Sequence, residues 1–181
     1  MTTRKVNLVL ICEDRQHEAF VRRFLRELGW ETRRLRVNQN PKGRGSGEQW
    51  VRTNYVQEVM NMRQRPHVAM GLIVTIDQDT ERLNREHQLL QALTEAGQKT
   101  RCDQEKIAHI IPARNIETWL AYLSGKEVDE TTVYPRLARE SECQALVLVL
   151  KSMCEAKALR KPAPPSLEKA CGEFHLRVPG A

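Results

Sequence analysis

"LIVTIDQDT", residues Leu72–Thr80, carries a nearly unbroken apolar run into two aspartates, Asp77 and Asp79. A short run of this kind reads as a strand buried on both faces, the habit of parallel sheets. Ligands of such sheets gather beyond the carboxyl ends of the strands, so the acidic pair falls where a site is expected. Two carboxylates this close repel, and a cation that relieves them would make the pairing useful. A plainer reading stays open. D-x-D also serves turns, and Asp77 or Asp79 could cap a helix beginning near Thr80.

"VNLVLIC" (Val6–Cys12) is a second buried strand, followed directly by Glu13. "HEAFVRRFLRELG" places Phe20, Val21, Phe24, Leu25 and Leu28 at helical spacing, with Gly29 as a stop. "ETRRLRVN" alternates weakly, as an exposed strand does. "NPKGRGSGEQW" is a glycine-rich basic loop whose Lys42 and Arg44 could reach phosphates; it lacks the G-x-x-x-x-G-K-[ST] of a phosphate loop. A helix is predicted from about Glu48 to Arg65, another over "TERLNREHQLLQALTEAG", and a strand over "KIAHIIPA". The order β-α-β-α-β-α-β predicts an α/β fold, a mainly parallel sheet flanked by helices.

Beyond Arg114 the strands stop. "NIETWLAYLSG" reads as a helix capped by Asn115 and ended by Gly125. "ECQALVLVLKSMCEAKAL" reads as a second, although "ALVLVL" alone would suit a strand. Prolines then precede a short last helix with Ser166 as its expected cap. The chain divides into an α/β core, residues 1–125, and a helical C-terminal extension, residues 126–181, packed on it.

Charge is unevenly placed. Residues 1–65 hold 14 Lys and Arg against 7 Asp and Glu, while residues 66–181 hold 15 against 16. The net charge of +6 therefore belongs to the first third. A basic lobe beside an acidic pair suits a polyanion, with nucleic acid the expected partner; a solvated arginine surface is the plainer alternative. Aromatic residues make up only 5% of the chain, which favours backbone contact over base stacking. No apolar run is long enough for a membrane span, and no membrane partner is expected. The five cysteines form no C-x-x-C and fit a reducing cytoplasm.

If the strands ending at Glu13 and Asp77 are neighbours, three carboxylates, Glu13, Asp77 and Asp79, converge on one crevice. Magnesium is the natural relief, being hard and oxygen-seeking. Glu18 lies on the core-facing stripe at the start of its helix, and either joins the site or only favours the helix N-terminus. His17, His67, His87, His109 and His175 show no metal-ligand spacing, and His109 is placed inside a strand. Trp119, on an apolar stripe, is assigned to the core.

"LVLICEDRQHEAFVRRFL" followed by "LIVTIDQDT" resembles the Toprim (topoisomerase–primase) domain, in which one strand ends in Glu and a later one in D-x-D. The likeness is to a small stand-alone bacterial branch whose first motif runs roughly E-G-x-T-E-E-x-F. Glu13, Glu18 and Phe20 stand at its glutamate, later acid and aromatic. "RNIETWLAYL" (Arg114–Leu123) is similar to the branch's R-N-I-E-x-W-L, and "GEQWVRTNY" and "PPSLEKAC" to further stretches. One departure is plain: Asp14 occupies the position of the glycine after the first glutamate.

The resemblance implies a Toprim-like fold and metal-dependent phosphodiester chemistry related to the overcoming-lysogenization-defect nucleases. Asp77 and Asp79 would hold Mg2+ (or Mn2+), Glu13 would be a ligand or general acid/base, and Glu117 would join the metal site. Arg114 and Asn115, with Glu18, would support it or contact phosphate. It also implies an ATPase partner in defence against phage. Two alternatives are weighed. A phosphatase of the haloacid-dehalogenase type also uses D-x-D, but wants Thr or Val four residues after the first Asp, where this chain has Glu81. The other is a non-catalytic nucleic-acid-binding or regulatory subunit, to which Asp14 in the glycine position lends support.

Overall fold

The computed structural model describes residues 6–41 and 45–178. Lys42 and Arg44, the expected phosphate contacts, lie outside the described residues. Four strands, β1 (Asn7–Cys12), β2 (Arg36–Gln39), β3 (Met70–Thr75) and β4 (Ile107–Ile110), form one sheet of order β2-β1-β3-β4, parallel throughout. Helices α1 (Arg15–Glu27), α2 (Gly47–Arg63) and α3 (Arg85–Glu95) make the crossovers. After β4 come α4 (Ile116–Leu123), α5 (Cys143–Glu155) and α6 (Pro165–Arg177), so the α/β class with a helical C-terminal region holds.

Alternation along the strands explains why both faces are covered. Leu8, Leu10, Cys12, Ile73, Ala108 and Ile110 face one core, with Phe20, Val21, Phe24 and Leu25 of α1. Val9, Ile11, Leu72, Val74 and Ile107 face the other, with Val51, Tyr55 and Val59 of α2 and Leu89 and Leu93 of α3. Full burial of side chains of this size stabilises by roughly 1.5–3 kcal/mol each. Continuous apolar strands are what two such layers require.

Helices α4, α5 and α6 complete the α1 core. Trp119 is fully buried beside Phe20, and Phe174 of α6 meets Phe24 edge-on, ring centroids 4.8 Å apart. The "ALVLVL" stretch is helical. Cys143, Val147 and Leu150, one turn apart, are buried, while Leu148 and Val149 are exposed. Two expected caps are corrected. Helix α3 begins at Arg85 with Asn84 as its cap, so neither Asp77 nor Asp79 serves it. Helix α6 begins at Pro165; Ser166 lies inside it and accepts the Trp119 indole N–H at 2.8 Å.

Strand β4 is an edge strand, yet its open side is satisfied by side chains. Glu173 of α6 accepts the His109 N–H at 2.9 Å, and Arg101 donates to the Ile107 carbonyl at 2.6 Å. Arg101 also pairs with Glu173 and Glu86. No described helix is long and apolar enough to cross a membrane.

Candidate metal centre at the carboxyl edge

The chain order places a reversal in the sheet's centre. From β1 the first crossover leads to β2 on one side; the second returns past β1 to β3 on the other. The crevice between β1 and β3 is thus the switch point where α/β sheets bind ligands. Glu13 leaves β1 and Asp77 leaves β3 at that crevice, and they meet: the Asp77 N–H donates to Glu13 Oε2 at 2.9 Å. Gly47, first residue of α2, comes so close that a Cβ there would stand 3.4 Å from Glu13 Oε1.

Asp14 is the N-cap of α1. Its backbone is extended, so no glycine is needed, and its Oδ1 accepts the N–H groups of Gln16 and His17 at 2.9 and 3.1 Å. Capping points the first turn of α1 into the crevice. His17, 1% exposed, stands between two carboxylates: Nδ1 lies 2.9 Å from Asp14 Oδ1 and Nε2 lies 3.0 Å from Asp77 Oδ1.

Burial and charge set the protonation. Burial pushes Glu13 up to about 7, against the Asp77 N–H bond that favours its charged form. Burial alone would lower His17, but the Asp77 and Asp14 carboxylates outweigh it and raise it well above the ordinary value. Asp14 is half-buried, which would raise it, yet the His17 bonds and Arg136 hold it well below the usual carboxylate range.

Glu13, His17 and Asp77 each offer one ligand atom, and these atoms lie within 4.8 Å of one another. Two buried or half-buried carboxylates and an imidazole, drawn from β1, α1 and β3, fit a divalent cation. Beside them, between β1 and β2, opens a cavity of about 450 Å³ whose wall includes Glu13, Gln39, Asn40 and Arg136.

The remaining predicted residues sit around this group rather than in it. Asp79 has a left-handed backbone, φ 63°, which Asp tolerates better than most residues. Its Oδ2 accepts from Arg85 Nη2 at 2.6 Å. Arg85 is itself buried and also reaches Glu48 and the Asp77 carbonyl. Arg114 donates to the Asp79 carbonyl, while its own carbonyl accepts the Asp79 N–H. Asn115 caps α4 through its backbone, with no side-chain cap bond. Glu117 is buried and accepts from Arg136 Nε at 3.0 Å; the same guanidinium bonds Asp14. Glu18 points to Arg22, at 2.8 Å.

His17 was not foreseen, because its partner Asp77 lies 60 residues away. The available signal was local: an Asp followed three residues later by a His at a helix start, directly beyond a strand ending in Glu. Compared with protein-family models, curated proteins and solved structures, the chain matches none.

Proposed function

We propose that the chain is a small Toprim-type nuclease that hydrolyses phosphodiester bonds of DNA or RNA with Mg2+ or Mn2+. The supporting observation is the meeting of Glu13 and Asp77 at the switch point of a parallel sheet. When bound, the ion would polarise a phosphoryl oxygen and lower the pKa of a bound water. Glu13 and Asp77 would hold it. The backbone N–H of Asp77 fixes one Glu13 oxygen, so the carboxylate need not reorganise. Buried Arg85 offsets the charge of Asp79 and Glu48 behind the site. Arg136, 65% exposed at the cavity wall and paired with Asp14 and Glu117, would be the cation nearest an incoming phosphate.

The basic first third supplies the backbone contact a polyanion needs. Five free cysteines accord with a reducing cytoplasm. The family resemblance adds an ATPase partner in phage defence. A second reading, a non-catalytic nucleic-acid-binding subunit, draws on the internal charge balance: Asp77 is paired with His17 and Asp79 with Arg85. End-labelled single- and double-stranded DNA and RNA, incubated with Mg2+ or Mn2+, separate the two. Cleavage that Asp77→Ala abolishes supports the nuclease. Salt-sensitive binding indifferent to metal, with no cleavage alone or with the partner, supports the scaffold.

A further inference from the structure

We infer that His17 is a nitrogen ligand of the ion, held in place by Asp14, and that the centre therefore prefers first-row transition ions to Mg2+. The inference rests on the Glu13–Asp77 reading and refines it. The geometry comes from two contacts. Two ligands ~2.1 Å from one octahedral ion stand about 3.0 Å apart along an edge. His17 Nε2 and Asp77 Oδ1 are 3.0 Å apart; with Glu13 the three ligand atoms lie within 4.8 Å of one another, a little beyond the ~4.2 Å between opposite ligands, so the Glu13 side chain would close in on the ion. The hydrogen bond holds the two side chains at that spacing.

The second contact is on the far side of the ring. Metal-binding histidines usually donate the other ring N–H to a carboxylate, which fixes the tautomer and raises ligand basicity. Asp14 Oδ1 is 2.9 Å from His17 Nδ1, and Asp14 is anchored in turn by the α1 backbone and by Arg136. Asp14 stands where the related motif has glycine, and the ring it orients reaches the same crevice as Glu13 and Asp77. The departure is thus compensated: the residue that replaces glycine brings a new ligand into register.

Chemistry sets the preference. Mg2+ favours oxygen ligands and waters, whereas imidazole suits later first-row ions, whose affinity for such sites rises from Mn2+ towards Cu2+. A Glu–His–Asp set shifts the balance towards Mn2+, Fe2+, Co2+ or Zn2+.

The test uses the full chain. Pulsed electron paramagnetic resonance of the Mn2+-loaded protein detects a directly bound nitrogen, and calorimetry gives affinities for Mn2+, Co2+ and Mg2+. The expected result is nitrogen coupling in the wild type and its loss in His17→Asn. Co2+ affinity should fall at least tenfold in that variant while Mg2+ affinity shifts less than about threefold. Asp14→Asn, which retains a capping oxygen, should keep the nitrogen signal and weaken Co2+ by roughly tenfold to a hundredfold. Bound Mn2+ without nitrogen coupling in the wild type overturns the inference, needs no variant to fold, and leaves the Glu13–Asp77 centre standing. Failure of all three ions to bind overturns the metal reading itself, and this inference with it.

Discussion

Asp77 and Asp79, separated by one residue, turn their carboxylates to different partners: Asp77 to the His17 ring at 3.0 Å, Asp79 to the Arg85 guanidinium at 2.6 Å. Their roles therefore divide. Asp77→Asn should abolish divalent-ion binding. Asp79→Asn should keep it within a few-fold, since Asn accepts the left-handed backbone and the lost pair is half exposed. The cost in stability for Asp79→Asn is expected at about 1–2 kcal/mol, since buried Arg85 keeps Glu48 and can still donate to the Asn oxygen. Calorimetric titration with Mn2+ and a urea melt of each variant check both; equal loss of binding in the two would contradict the division.

The Trp119–Ser166 bond ties α4 to α6 inside the core. Ser166→Ala leaves a fully buried indole N–H without its acceptor. Such an orphan costs about 1–3 kcal/mol. Chemical denaturation should show the midpoint fall with an unchanged slope. A variant as stable as the wild type would mean the indole finds another acceptor.

His109 gives a pH dependence whose sign is fixed by its surroundings. Burial lowers it, against the Glu86 carboxylate 3.8 Å away. Tyr55 of α2 and Glu173 of α6 also face it, as does the Arg101 guanidinium that repels a proton. The unfolded chain therefore binds this proton first, so stability is lost as pH falls below about 6.5 towards the lower folded value. Other groups titrate nearby, so the difference between wild type and His109→Gln isolates the effect. The wild type should lose stability relative to the variant between pH 7 and 5. A difference that stays flat over this range would remove His109 as the cause.

Thiol labelling should follow burial. Cys102 is exposed, Cys154 and Cys171 are half-buried with their sulfurs 2.7 Å apart, and Cys12 and Cys143 are closed off. Burial pushes both closed thiols up, away from the reactive thiolate. At most three thiols should react with an aromatic disulfide reagent in the native state, and all five after denaturation. Five rapid reactions without denaturant would show that the core opens readily.

Much of the fold was legible because β1 and β3 are nearly continuous apolar runs, β4 is apolar but for His109, and α1 carries a strong apolar stripe. Less legible were features decided by competition between neighbours. Thr80–Leu83 has helical composition, but Asn84 offers the cap and the helix waits for it. Ser166 invited a capping role, yet consecutive prolines set the start of α6 earlier and freed its hydroxyl for Trp119. In the site, Glu13 and Asp77 could be paired from strand ends alone. Which acid faces which cation could not, because Arg85, Arg136 and His17 approach from separate helices and loops. Asp14 illustrates the limit best: as one residue it signals a broken motif, and only beside His17 does it acquire a use.

Glu173 and Arg101 occupy the backbone positions along β4 where another strand would dock. That border of the sheet is closed to recruitment, so edge-to-edge growth of fibrils or filaments is barred there at neutral pH. Acid that protonates Glu173 would break its ion pairs with Arg101 and Arg177 and so loosen that seal.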